Sequence, residues 1–187
     1  YSAQTIGDTV NLLALNGDTF SFTVGSSQSG TTSNDLYWTS GSTGNYSIKA
    51  LNDTATDATG NYAFAEGSGT IASGTASHAE GSGTIASGST SHAEGLNTIA
   101  GGTASHTEGN LTSATGLYSH SEGLNSKAIG TASHDEGSST TASGNTSHAE
   151  GNATTASGGG SHAEGSSTIA SGNNSHAEGN ASTASGS

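Results

Sequence analysis

From Asn61 onward small and larger side chains alternate in blocks of seven, and the blocks are of two kinds. One reads x-x-Ser-His-Ala-Glu-Gly, as in Ser77-His78-Ala79-Glu80-Gly81, and the other x-x-Thr-Ile-Ala-Ser-Gly, as in Thr70-Ile71-Ala72-Ser73-Gly74. A glycine every seven residues excludes helix, because each costs roughly 1 kcal/mol relative to alanine. The five-residue units that end in glycine suit short strands, with glycine and the next two residues turning the chain. Two strands and two turns make one coil of fourteen residues, and a strict period of that size marks a stacked repeat. The expected fold is therefore all-β: a parallel β-solenoid (β-roll) over 61–187 in nine coils. At about 4.8 Å per coil the rod is roughly 40 Å long.

Side chains on a strand alternate between faces. Ser77, Ala79 and Gly81 share one face, as do Thr70, Ala72 and Gly74, and these small residues are expected inside the roll. His78 and Glu80 then point outward on one sheet, and Ile71 and Ser73 on the other. The positions equivalent to Ile71 drift, through Ile85, Ile99, Ser113, Lys127, Thr141, Thr155, Ile169 and Thr183. Those equivalent to His78 depart from histidine only at Phe64, and the glutamate never varies, from Glu66 to Glu178. Sameness on one face and drift on the other implies that one sheet meets a partner while the other meets water. A partner of the simplest geometry is another copy of the chain under closed symmetry.

Residues 1–60 do not repeat. Val10 to Leu15 and Phe20 to Val24 flank Asn16-Gly17-Asp18, a hairpin signal because Asn-Gly accepts the positive φ of a tight turn. Phe20, Phe22 and Val24 alternate with polar residues, and Leu36, Trp38, Tyr46 and Ile48 add bulk. The segment reads as a β-rich cap or connector, or as a receptor-binding knob.

Only 28% of the residues are apolar, so no thick core is available, and order must come from ladders of backbone bonds. With no cysteine there is neither a disulfide framework nor a cysteine metal site. No stretch approaches the ~20 apolar residues of a membrane span, and no signal sequence is visible. Methionine is absent, so Tyr1 reads as the start of a fragment or processed product. The formal charge of −13 makes nucleic acid and anionic membrane poor partners. Protonating all eight histidines would move it to −5, so acidity matters to this chain.

The alternation of Ser-x-Ala-x-Gly with Thr-x-Ala-Ser-Gly resembles the head repeat of trimeric autotransporter adhesins. That resemblance implies a left-handed parallel β-roll with three chains about an axis. The Ser-His-Ala-Glu-Gly version is similar to repeats in bacteriophage tail fibres and related appendages. The resemblance covers 61–187 and implies an extracellular homotrimer on a virion or cell surface, acting in attachment to a host receptor. The adhesin family carries apolar residues where this chain has histidine and glutamate.

The candidate chemistry is one column of pairs: His78 and Glu80, His92 and Glu94, His106 and Glu108, His120 and Glu122, His134 and Glu136, His148 and Glu150, His162 and Glu164, His176 and Glu178. Successive glutamates about 4.8 Å apart repel by on the order of 3 kcal/mol at an effective dielectric of 20. Protonated imidazole, bound cations or open water must offset that. Three arrangements follow: a structural seam between chains, a divalent metal column, since both residue types are ligands, or a solvent-facing ladder on a lone solenoid. The cation-binding solenoid or self-assembling filament is the alternative function. Catalysis is not expected: Ser77 and His78 point to opposite faces, and eight copies of a motif are building material rather than a single constellation. A flat ice-binding array is disfavoured by Lys127 among the Ile, Ser and Thr positions.

One stretch breaks the rule. The inner alanine becomes Thr107, Ser121 and Asp135 in successive coils, Leu96, Leu111, Leu117, Tyr118 and Leu124 occupy turns, and Ile129 stands where serine is usual. A buried Asp135 costs several kcal/mol unless paired or hydrated. Nearby hydroxyls or a local opening of the roll would relieve it.

Overall fold

The computed structural model describes residues 9–13, 19–23, 38–50 and 55–186. Contacts divide the chain into two units, Tyr1–Asp35 and Leu36–Ser187. In the first, β1 (Thr9–Leu13) pairs antiparallel with β2 (Thr19–Thr23), with Leu13 opposite Thr19 nearest the turn. The Asn16-Gly17-Asp18 turn, Leu15, Val24, Leu36 and the side chains of Phe20 and Phe22 lie outside the described residues.

The second unit is the parallel β-solenoid, and its described residues contain strands and turns but no helix. It opens with β3 (Trp38–Ser40) antiparallel to β4 (Ile48–Ala50). From there two sheets run its length. In the first, β4 pairs in parallel with β6 (Phe64–Ser68), and the same register continues through His78–Ser82 to His176–Ala177. The second, also parallel, starts at β5 (Asp57–Ala58) and ends at Thr183–Ala184. The sheets contain eleven and ten strands.

The roll thus begins before residue 61. Ile48 faces Phe64, a step two residues longer than the fourteen between Phe64 and His78. That lengthened coil, carrying Ile48 and Phe64 in place of histidine, falls outside the repeat period although its strand joins the same sheet.

Backbone ladders hold the coils together. The His78 amide donates to the Ser91 carbonyl and the Ile71 amide to the Thr84 carbonyl, both at 2.9 Å. Between the sheets lie alanine methyls: Ala65, Ala72, Ala79, Ala86, Ala93 and Ala100 are fully buried. A core this thin admits little else. The inner serines serve the corner, where the Ser77 hydroxyl donates to the Gly74 carbonyl at 2.7 Å and Ser91 does the same to Gly88. On the facing edge the Thr98 and Thr112 hydroxyls donate to the carbonyls of Glu94 and Glu108 at 3.1 and 3.0 Å.

The two glycine columns have different causes. A Cβ on Gly74 would stand 1.9 Å from the Gly88 carbonyl oxygen, so close approach alone demands glycine. Gly81 adds a φ of +106°, where side chains are rarely tolerated. That backbone turns Gly81 outward, so it is exposed and does not share the inner face with Ser77 and Ala79. The positive φ breaks the alternation one residue after the glutamate.

Asp135 lies inside the roll, fully buried, in register between Ser121 and Ala149. The roll does not open there. The Thr140 hydroxyl donates to its Oδ2 at 3.0 Å, and the Lys127 amide donates to the same oxygen. Its Oδ1 has no hydrogen-bond partner among the described residues. Burial, only partly offset by those two donors, pushes the Asp135 carboxyl up to about 7.

Candidate functional site

Because the strands of the first sheet stack in strict register, each histidine meets a histidine in the next coil. The eight imidazoles therefore form one stack from His78 to His176. Successive ring centres are 4.7–4.9 Å apart, and ring planes lie within 2–10° of parallel. Two carbon rings close its upper end: Phe64 lies 5.0 Å from His78, and Trp38 stacks on Phe64 at 4.8 Å. Sequence reasoning placed Phe64 in the histidine column but not Trp38, because Trp38 enters on an antiparallel strand outside the period.

Each imidazole Nε2 points to the glutamate edge. His92 meets Glu80 at 3.2 Å and His106 meets Glu94 at 3.3 Å, each reaching back one coil. His78 approaches Glu66 in the same sense at 3.7 Å. In the middle coils the nearer carboxylate is on the same strand, as for His120 with Glu122 and His134 with Glu136, both at 4.0 Å. His148 lies 3.9 Å from Glu150, and His162 touches both neighbours, Glu150 at 3.5 Å and Glu164 at 3.8 Å. His176 reaches Glu164 at 3.9 Å. Glu178 follows just after the last strand of this sheet, His176–Ala177, without an ion pair among the described residues.

The column is not a simple run of ion pairs. Glu122 is pushed up to about 7, first by hydrogen bonds shared with Glu108 and Glu136 and then by burial. A proton held at Glu122 lowers both neighbours, whose leading cause is the bond to an adjacent glutamate, Glu122 for Glu108 and Glu150 for Glu136. At Glu80 burial opposes ionisation, but His78 and His92 outweigh it and the pKa is lowered. His120 and His148 are lowered, by burial first and by flanking imidazoles second. Burial and then like charge along the stack thus favour the neutral form of His120 and His148.

A shallow open groove runs beside this edge. Its floor is Gly95, Gly109, Gly123 and Gly137, and its wall is Glu94, Glu108 and Glu122. Leu96 and Leu124 follow two of these glycines, in register through Asn110, and are about half exposed. The opposite sheet presents Ile71, Ile99 and Ile169 as exposed residues, Ile85 and Thr141 as half-buried ones, and the residues His78, His92 and His106 are half-buried. In one chain both outer faces reach solvent.

Nitrogen and oxygen donors converge at many levels. The sets His78, Glu80, His92 and His148, Glu150, His162 each bring three donor atoms within 4.8 Å of one another. Ser77 is buried and donates to the Gly74 carbonyl, while His78 faces outward, so the two side chains do not meet. No family model matches the chain, and no curated protein matches it.

Proposed function

We propose that the solenoid is a non-enzymatic segment of an extracellular attachment fibre, the shaft or head of a phage tail fibre or bacterial surface adhesin. Three chains pack with their histidine–glutamate edges inward and their Ile/Thr/Lys sheets in water. The work of the molecule is mechanical: in-register ladders make a stiff spacer that holds a binding tip away from its anchor. The observation that carries this reading is the contrast between outer faces. Eight stacked imidazoles and their glutamates are constant through the roll, whereas the equivalents of Ile71 vary from isoleucine to lysine. Both faces reach water in one chain, and a partner on the constant face accounts for the contrast. A copy of the same chain supplies matching spacing at every coil.

Sedimentation equilibrium tests the assembly. The expected mass is three times the 18.0 kDa of one chain. A single-chain mass across micromolar concentrations would remove the seam and, with it, the main support for a fibre.

A further inference from the structure

We propose that the histidine–glutamate edge is a half-filled column for divalent transition-metal ions, one ion to every two coils. The inference stands on the geometry of one chain and not on the fibre reading. Two donors 2.0–2.2 Å from a zinc-like ion, at tetrahedral to octahedral angles, stand roughly 2.9–3.5 Å apart. His92 with Glu80, His106 with Glu94 and His162 with Glu150 already stand 3.2, 3.3 and 3.5 Å apart. The Nε2 atoms of His78, His120, His134, His148 and His162 are shielded from solvent and meet no hydrogen-bond partner among the described residues. A nitrogen in that state gains a partner by binding an ion.

Stacking decides how many imidazoles each ion takes. An imidazole lone pair lies in the ring plane, and consecutive rings are nearly parallel, with centres 4.7–4.9 Å apart. Two neighbouring rings therefore cannot aim at one ion, although their nitrogens are close. What does approach one Nε2 is a carboxylate from the coil before and one from its own coil, as Glu150 and Glu164 do at His162, 3.5 and 3.8 Å away. The ligand set is one nitrogen and two carboxylate oxygens, with remaining positions open to water. That mixture suits zinc, cobalt, nickel or manganese better than an all-oxygen ion.

The same set fixes the filling. An ion at His162 uses both Glu150 and Glu164, leaving His148 and His176 one carboxylate short. Charge leads to the same rule: a divalent ion in every coil, with one glutamate each, would leave each coil positive, whereas every second coil is neutral. Eight histidines and nine glutamates then hold four ions per chain. The ions sit either at His78 and every second ring after it or at His92 and every second ring after that.

Equilibrium dialysis of the full chain against Co2+ measures the plateau, and the visible absorption of bound cobalt reports nitrogen–oxygen ligation. The expected plateau is four ions per chain. It stays at four in the variant with His92, His120, His148 and His176 all changed to Gln, because the other set of sites is intact. Changing all eight histidines to Gln abolishes the cobalt spectrum. A plateau of eight that falls to four in the four-site variant would overturn half-filling. No spectrum in the natural chain, or one that survives loss of every histidine, would overturn the site itself. Should a multiple variant fail to fold, the plateau of the natural chain decides between four, eight and none.

Discussion

His92 Nε2 stands 3.2 Å from Glu80 Oε1, so this imidazole reaches back to the preceding coil rather than along its own strand to Glu94. The contact ties coils together through side chains as well as backbone. About a third of each side chain is exposed in one chain, where such a pair contributes under about 1 kcal/mol. Covered by sister chains, the same pair is desolvated, and removing one member costs about 3–5 kcal/mol. Glu80→Gln, measured by urea denaturation with chelator present, is expected to show the larger loss. A loss below about 1 kcal/mol would mean an open edge.

Gly81→Ala and Gly74→Ala are both expected to disrupt stacking, at a cost of at least about 3 kcal/mol each. In both, the new Cβ would strike the carbonyl oxygen of the next coil, at 2.2 and 1.9 Å. Gly69→Ala is the contrast. Its Cβ would meet nothing nearer than 4.0 Å, and Ala153 and Ala181 already hold the equivalent turn at φ of +54°. The expected cost there is about 1 kcal/mol, and thermal melting ranks the three variants.

Asp135→Ala is expected to stabilise the chain by about 1–3 kcal/mol at pH 8. Alanine is what the neighbouring coil carries, at Ala149, and the substitution removes a buried carboxyl with one unpartnered oxygen. The sign follows from linkage. The folded carboxyl titrates at about 7 against an ordinary 3.8, so it favours the folded state at low pH, and that advantage is lost as pH rises from 3.8 through 7. The gain from the substitution should accordingly shrink as pH falls to 4. A constant gain would show that Asp135 is not protonated on folding.

The mid-column imidazoles act in the opposite sense. His120 and His148 have pKa values lowered from 6.5, so their contribution is complete above 6.5 and is lost as pH falls below it. In an Asp135→Ala background, melting temperature should fall between pH 7 and pH 5. Adding His120→Gln and His148→Gln should flatten that fall. An unchanged slope would place the acid sensitivity elsewhere.

Much of this was legible in the repeat. The fourteen-residue period and the small size of Ala72 and Ala79 sufficed to place both inside and to put His78 and Glu80 on one outer face. Gly81 was misplaced because alternation assumes ordinary strand φ, and nothing in the pentapeptide signals a φ of +106°. The start of the roll at Ile48 was hidden by a coil two residues longer than the period. Parallel stacking of the imidazoles follows from register, which the period implies. The choice each imidazole makes between two glutamates depends on differences of a few tenths of an ångström, beyond any spacing rule.

The central claim is that the imidazole edge is covered by sister chains while the opposite sheet is wet, and thiol reactivity measures this most directly. The natural chain has no cysteine, so one introduced thiol reports its own position. His120→Cys and Lys127→Cys place it at neighbouring levels on opposite sheets. The account predicts slow labelling at 120, accelerating only in denaturant, and labelling at 127 as fast as in the unfolded chain. Equally fast labelling at both positions would contradict it.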